Sequence, residues 1–221
     1  MDNLTEENKQ KALKDFSVYY DELIIWNKKF NLTAITEREE VAIKHFADSL
    51  EGLPYFVGRV LDVGSGAGFP SVPIAMLNDT LTLTLIDSVN KKVNFLKHII
   101  EKLSLKAIAL HIRAEDLART KHRESFDTVT ARALAPLSTL AEYLLPQVKV
   151  GGVAVIYKGE ATAELNQAKT AIATLGGKIE QIKKYRLPRM DNERTLILIR
   201  KIVPTPNEYP RSGNKPRISP L

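Results

Sequence analysis

Val60-Leu61-Asp62-Val63-Gly64-Ser65-Gly66-Ala67-Gly68-Phe69-Pro70 opens with apolar residues of high strand propensity and runs into three glycines spaced two apart. That is the pattern of a buried strand entering a tight turn. Glycine lets the backbone enter the φ > 0 region and lets a ligand come close. A helix is expected over roughly 70–77, and a second apolar strand, Leu81 to Ile86, ends in Asp87. The layout is that of a βαβ nucleoside site, with Asp87 placed to accept from ribose hydroxyls. The alternative is that Asp87 caps the helix that starts near Asn90.

The spacing departs from a dinucleotide fingerprint, because Phe69 stands where the third glycine of G-x-G-x-x-G would fall. Asp62 sits two residues before the first glycine. Asp-x-Gly-x-Gly-x-Gly resembles motif I of S-adenosylmethionine-dependent methyltransferases.

Upstream, residues 5–29 read as one amphipathic helix with Leu13, Phe16, Tyr20, Leu23, Ile24 and Asn27 on one face. Asn31 to Ile35 interrupts it. Thr36-Glu37-Arg38-Glu39 has the form of a capping box opening a second helix to Leu50, its buried face Ile43, Phe46, Ala47 and Leu50. Downstream, strands are expected near 59–63, 82–86, 107–111, 126–131, 151–157, 179–186 and 194–201. Helices fit near 70–77, 90–103, 137–145 and 161–175. Alternation of this kind gives an α/β fold with a mostly parallel seven-stranded sheet covered on both faces. Only Leu187 to Asn192 joins the last two strands, so they form an antiparallel hairpin. Three segments follow: a helical extension (1–55), the Rossmann-like α/β domain (56–203) and a tail (204–221). The tail holds five of the eleven prolines, with Arg211, Lys215 and Arg217 against Glu208. It reads as extended chain without a core of its own, ordered against the domain or against a partner.

The chain has 221 residues, a formal net charge of +6 and no cysteine. Disulfides, thiolate metal sites and a cysteine nucleophile are excluded, and a reducing cytoplasm fits. No apolar run approaches the roughly 20 residues of a membrane helix, so no membrane partner is expected. Met1 to Glu7 does not read as a signal peptide. The four histidines are scattered without metal-ligand spacing, so no metal is expected. The basic balance favours a nucleic-acid partner. Candidate phosphate contacts are Lys91, Lys92 and Lys97; Lys121, His122 and Arg123; Lys183, Lys184, Arg186 and Arg189; and the tail. Each could also be an ordinary solvated charge.

Taken together, Asn31-Leu32-Thr33, His45-Phe46-Ala47-Asp48-Ser49-Leu50, Leu61 to Pro70, Asp87-Ser88, Arg132-Ala133, Lys158-Gly159, Tyr209-Pro210-Arg211 and Pro220-Leu221 resemble the bacterial glucose-inhibited division protein B family, also called RsmG. The His-x-x-Asp-Ser-Leu helix and the Gly-Phe-Pro continuation make the match far more specific than motif I alone. The resemblance implies a class I S-adenosylmethionine-dependent methyltransferase acting on N7 of one guanine in 16S rRNA. It implies a cofactor site of Gly64, Gly66, Gly68, Phe69, Asp87, Ala114, Glu115 and Arg132. His45, Asp48 and Lys158 are implied at the pocket rim, with Arg186 and Arg211 toward the RNA, as a monomer on 16S rRNA or a small-subunit precursor. Glu115 and Asp116 could instead be an acidic helix start, and Arg132 a surface arginine. No catalytic residue is assigned; Arg132 and Lys158 are candidates for positioning.

Thr130 to Pro136 lacks the Asn/Asp-Pro-Pro-aromatic motif common in amino-group methyltransferases. Carbon-5 pyrimidine methylation usually needs a cysteine nucleophile, which is absent. Guanine N7 carries an in-plane lone pair and needs neither deprotonation nor an adduct. Three other functions remain open at this level: a methyltransferase on another RNA, a small molecule or a protein; a dinucleotide enzyme; and a non-catalytic RNA-binding module.

Overall fold

The computed structural model describes residues 6–132 and 135–221. The first residue of the expected N-terminal helix, and Ala133, lie outside the described residues.

The chain begins with α1 (Glu6–Phe30), which ends at Asn31 with φ 50. α2 (Arg38–Val41) runs through a π-helical turn, Ala42–Ala47, into α3 (Asp48–Leu50). Then come β1 (Arg59–Val63), α4 (Ser71–Ala75), β2 (Thr82–Asp87), α5 (Asn90–Lys102), β3 (Ala107–His111), α6 (Ala114–Leu117), β4 (Phe126–Arg132) and α7 (Leu137–Leu144). β5 (Val148–Lys158), α8 (Thr162–Thr174), β6 (Gly177–Arg186), β7 (Glu193–Lys201) and α9 (Lys215–Ile218) complete it.

Among the described residues the strands form one seven-stranded sheet in the order β3-β2-β1-β4-β5-β7-β6. β1 to β5 pair in parallel, and β7 lies antiparallel between β5 and β6. Strand order reverses at β1, whose neighbours are β2 and β4. The carboxyl ends of strands flanking such a switch point splay apart and leave a crevice.

Both faces of the sheet are covered, which is why its strands read as apolar runs. Val60, Leu83, Leu85, Val153 and Val155 join one core with Tyr19, Leu23, Phe46, Phe69, Phe95 and Leu96. Their neighbours Leu61, Ile86, Ala154 and Ile156 face the other core with Leu137, Leu140, Leu144, Ala168 and Ile172. Tyr209 and Leu221 of the tail pack against this second core. β6 is mostly exposed at the sheet edge, and lysines such as Lys178 and Lys183 discourage further strand pairing there.

Two expected helix faces are shifted. On α1 the buried residues are Ala12, Tyr19 and Leu23, with Phe16 and Trp26 beside them, while Leu13 is 63% exposed. Tyr19 rather than Tyr20 continues the 3-4-3 spacing from Phe16. In the second helical segment Phe46 is buried as expected, but Val41, Asp48 and Ser49 are buried with it, while Ile43, Ala47 and Leu50 are only partly covered. The π turn adds a residue to one turn and so rotates the following face. The capping box does not form: Glu37 is the N-cap without a side-chain bond, and Glu39 pairs with Arg189 of the β6–β7 loop.

Candidate functional site

The glycine-rich turn leaves β1 at the centre of the crevice. Gly64, Gly66 and Gly68 have φ of 68, 59 and 98. A Cβ on Gly68 would meet Val72 Cγ2 and the Tyr19 hydroxyl, each at 2.8 Å, so conformation and space both demand glycine there. Tyr19, fully buried on α1, donates its hydroxyl to the Ala67 carbonyl. The N-terminal helix therefore holds the turn directly, a role that helical periodicity does not reveal. Tyr19→Phe leaves that carbonyl without its donor; melting and cofactor titration are expected to show a loss of about 1–3 kcal/mol in stability and weaker nucleoside binding.

Asp62 lies fully buried beneath the turn and accepts the Ser71 N–H at 3.4 Å. Burial pushes its carboxyl up to about 7, against the lowering effect of Ser71 and the Arg132 guanidinium.

Asp87 ends β2 and is only 5% exposed, not the exposed strand end that its position suggests. Its Oδ2 accepts the Gly66 N–H at 3.0 Å and its Oδ1 the Val89 N–H at 2.8 Å. The carboxylate thus braces the turn and the entry to α5 together, and its remaining lone pairs stay available to hydroxyls. Lys92 Nζ stands 3.9 Å away.

The crevice has two lobes that share Gly64, Asp87 and Ser88. The first, about 130 Å³, is walled by Ile86, Ile112, Ala114, Glu115 and Tyr143. Glu115 is 3% exposed, and its Oε1 has no hydrogen-bond partner although Arg113 Nη1 stands 3.5 Å from it. Ala114 and Glu115 sit in the short helix α6, so the acidic-helix reading and the pocket reading describe the same residues.

The second lobe, about 360 Å³, is lined by Leu32, Thr33, His45, Phe69, Lys92 and Arg132 with the glycine turn. His45 stacks on Phe69 at 4.5 Å between centroids, and the Arg132 guanidinium lies 5.0 Å from the same ring. Arg132 Nη2 donates to His45 Nδ1 at 3.2 Å, which leaves His45 Nε2–H to donate to Thr33 Oγ1 at 2.9 Å. Burial first, then the Arg132 charge, lower the His45 pKa to about 4, so the ring is neutral near pH 7. Thr33 is fixed in turn by its N–H to Asn27 Oδ1 at 2.9 Å.

Asp48 does not reach the rim. It is fully buried, and its carboxylate accepts Arg132 Nη1 at 3.0 Å, Arg194 Nη1 at 3.3 Å and the Tyr185 hydroxyl at 2.8 Å. It orients Arg132 from behind. Arg194 was missed in the sequence, where nothing sets it apart from other strand-end arginines.

Lys158 lines neither lobe: Nζ donates to the Ala135 carbonyl at 3.1 Å and pairs with Glu164 at 2.9 Å. Arg211 is likewise not free for RNA, because its guanidinium lies on the buried Glu142 carboxylate. Arg186 is exposed at the end of β6. Lys183, Lys184 and Arg189 meet Glu51, Glu193 and Glu39. Such surface pairs are weak and exchange readily for phosphate.

The arrangement fits a nucleoside with a polar extension. Asp87 offers lone pairs between the lobes, and Glu115 presents a buried carboxylate oxygen without a hydrogen bond in the smaller one. Among the described residues no cluster of three His, Asp or Glu could hold a metal, and no helix is long and apolar enough to cross a membrane.

Residues 12–196 match the family model for rRNA small subunit methyltransferase G. The ribosomal RNA small subunit methyltransferase G of Lactobacillus johnsonii is 47% identical, over 97% of this chain and 94% of its own. The Bacillus subtilis protein of the same name is 46% identical over 96% and 91%. In three dimensions M. jannaschii TYW2, solved in complex with AdoMet, superposes with a TM-score of 0.56 at 13% identity, over 71% of this chain and 76% of that one, which speaks to the fold alone. With a family model spanning most of the sequence and relatives identical at nearly half their positions, the chain belongs to the rRNA small subunit methyltransferase G family.

Proposed function

We propose that this protein transfers a methyl group from S-adenosylmethionine to N7 of one guanine in 16S rRNA. The observation that carries the reading is the two-lobed crevice divided by Gly64 and Asp87, with a neutral histidine held by Arg132 in its larger lobe. S-adenosylmethionine, when bound, supplies a methyl carried on a sulfonium. Asp87 accepts from the ribose hydroxyls, Ala114 and Glu115 meet the adenine, and the backbone of Gly64 to Gly68 approaches the remainder.

Phe69, His45 and Arg132 stack together at the acceptor side. His45 Nδ1 is taken by Arg132 and its Nε2 carries the proton, so it is poorly suited to remove one. Attack by guanine N7 through its lone pair asks for no base. Positive charge moves from the donor to the base without a change in total charge. Holding the two reactants in line is therefore the main demand on the protein. Arg132, fixed by Asp48, positions the stack.

The net charge of +6 supports attraction to a polyanion. The protein acts as a monomer in the cytoplasm, on 16S rRNA or a small-subunit precursor, with Arg186 and Lys92 toward the RNA. Transfer from labelled S-adenosylmethionine to 16S rRNA, followed by nucleoside analysis, tests the reading. The expected product is 7-methylguanosine; label in any other nucleoside, or none, overturns it.

Asp87→Ala removes a ribose acceptor and also two bonds that brace the turn. Calorimetry is expected to show S-adenosylmethionine binding weaker by about 1.5–3 kcal/mol. Because Asp87 is buried, a lower melting temperature accompanies it. Unchanged affinity would reject the ribose role.

A further inference from the structure

The tail has a place in the smaller lobe. Pro204 to Leu221 does not hang free. Buried Lys201 donates to the Leu145 carbonyl at 2.7 Å and also to Thr205 Oγ1. Arg123 donates to the carbonyls of Thr205 and Tyr209 at 2.8 and 2.7 Å, and Arg119 to that of Pro210 at 2.7 Å. The Thr139 hydroxyl of α7 donates to the Pro216 carbonyl at 3.0 Å, with Pro216 buried. These bonds carry α9 across α7 and bring Asn214 and Arg217 to the wall of the lobe that holds Glu115, Ile112 and Tyr143.

From this geometry we infer that the tail supplies part of the nucleoside pocket, with Asn214 and Arg217 contacting the adenine of the methyl donor. The inference rests on the methyl-donor reading above and deepens it. Three features support it. Arg113 Nη1 donates to Asn214 Oδ1 at 3.3 Å, which turns the Asn214 amide N–H groups outward as donors, and adenine ring nitrogens accept. Arg217 brings a planar guanidinium, which stacks on planar rings at little desolvation cost. Glu115 Oε1, buried and without a hydrogen bond, is an acceptor in the same lobe, and the exocyclic amine of adenine is a donor. Acceptor, donor and stacking group are the complement of an adenine.

Both side chains are exposed, so their removal leaves the core intact. The test uses the full chain as wild type, Asn214→Ala, Arg217→Ala and the double variant, with Lys215→Ala as a control on the same helix that does not line the lobe. Calorimetry measures binding of S-adenosylmethionine and of methylthioadenosine, which keeps the adenosine and lacks the amino-acid portion. Filter binding measures 16S rRNA affinity. The double variant is expected to bind both nucleosides more weakly by the same factor, roughly tenfold, with the control, the melting temperature and the rRNA affinity unchanged. Wild-type affinity for both nucleosides, or a loss confined to rRNA, overturns the inference while leaving the methyl-donor reading standing. A wild-type chain that binds neither nucleoside sinks both.

Discussion

Asp48→Ala is expected to lower stability by about 3–5 kcal/mol, the cost of removing one partner from a buried charge cluster. Asp48 is fully buried, and its carboxylate is shared by Arg132, Arg194 and the Tyr185 hydroxyl. Without it two guanidinium groups that share Asp48 Oδ2 are left without their counter-charge. Arg194 Nε already lacks a partner, so the cluster has little reserve. For a chain of this length the melting temperature falls by roughly 10 °C. Arg132 then lacks the carboxylate that aims it at His45 Nδ1 and the Phe69 ring. A displacement of about 1 Å at a reacting centre costs about a hundredfold in rate. Asp48→Asn keeps an acceptor for Tyr185 and removes the charge, so it falls between wild type and alanine in both measurements. Thermal melts and single-turnover methyl transfer check this. A variant that transfers normally would show that Arg132 needs no such support.

The fold was legible because its signals are local. β1 and its glycine turn are adjacent in the sequence, and the strand–helix alternation is read from windows of a few residues. The short link Leu187 to Asn192 announced the antiparallel end, and β7 indeed lies antiparallel to β6. Phase was harder to read. On α1, Tyr19 and Tyr20 are both aromatic, and only the packing against Phe46, Phe69 and Phe95 selects Tyr19. No sequence pattern announces the π turn that carries Asp48 inward. Residues whose chemistry depends on a distant partner were the least legible. Asp48 and Lys158 looked like residues of the pocket rim and Arg211 like a phosphate contact. For Asp48 and Arg211 the partners lie far along the chain, at Arg132 and Arg194 and at Glu142, while Lys158 turns to nearby Glu164 at the start of α8. A charged side chain is ambiguous until its counter-charge is found, because solvated, paired and ligand-binding forms share one residue type.

Arg211 gives the other large effect. Glu142 is a fully buried carboxylate on α7, and Arg211 meets it with Nε at 2.9 Å, Nη2 at 2.6 Å and its backbone N–H at 2.7 Å. Arg211→Ala keeps only the backbone donor and leaves the carboxylate largely uncompensated. The loss is expected near the lower end of the range of about 3–5 kcal/mol, because the arginine side chain is 24% exposed and water can enter. The melting temperature should fall by about 6–10 °C. Replacing both partners with apolar residues, as Glu142→Leu with Arg211→Met, removes the orphan charge and should recover most of that loss. A phosphate-binding Arg211 makes the opposite prediction. Both the single and the double variant would then bind rRNA more weakly, with the salt slope shallower by about 0.7 for each phosphate no longer neutralised, and the double variant would not recover. Melting curves of the two variants and rRNA affinity at several salt concentrations separate these outcomes. Recovery in the double variant with an unaltered salt slope is the result that a structural strap requires.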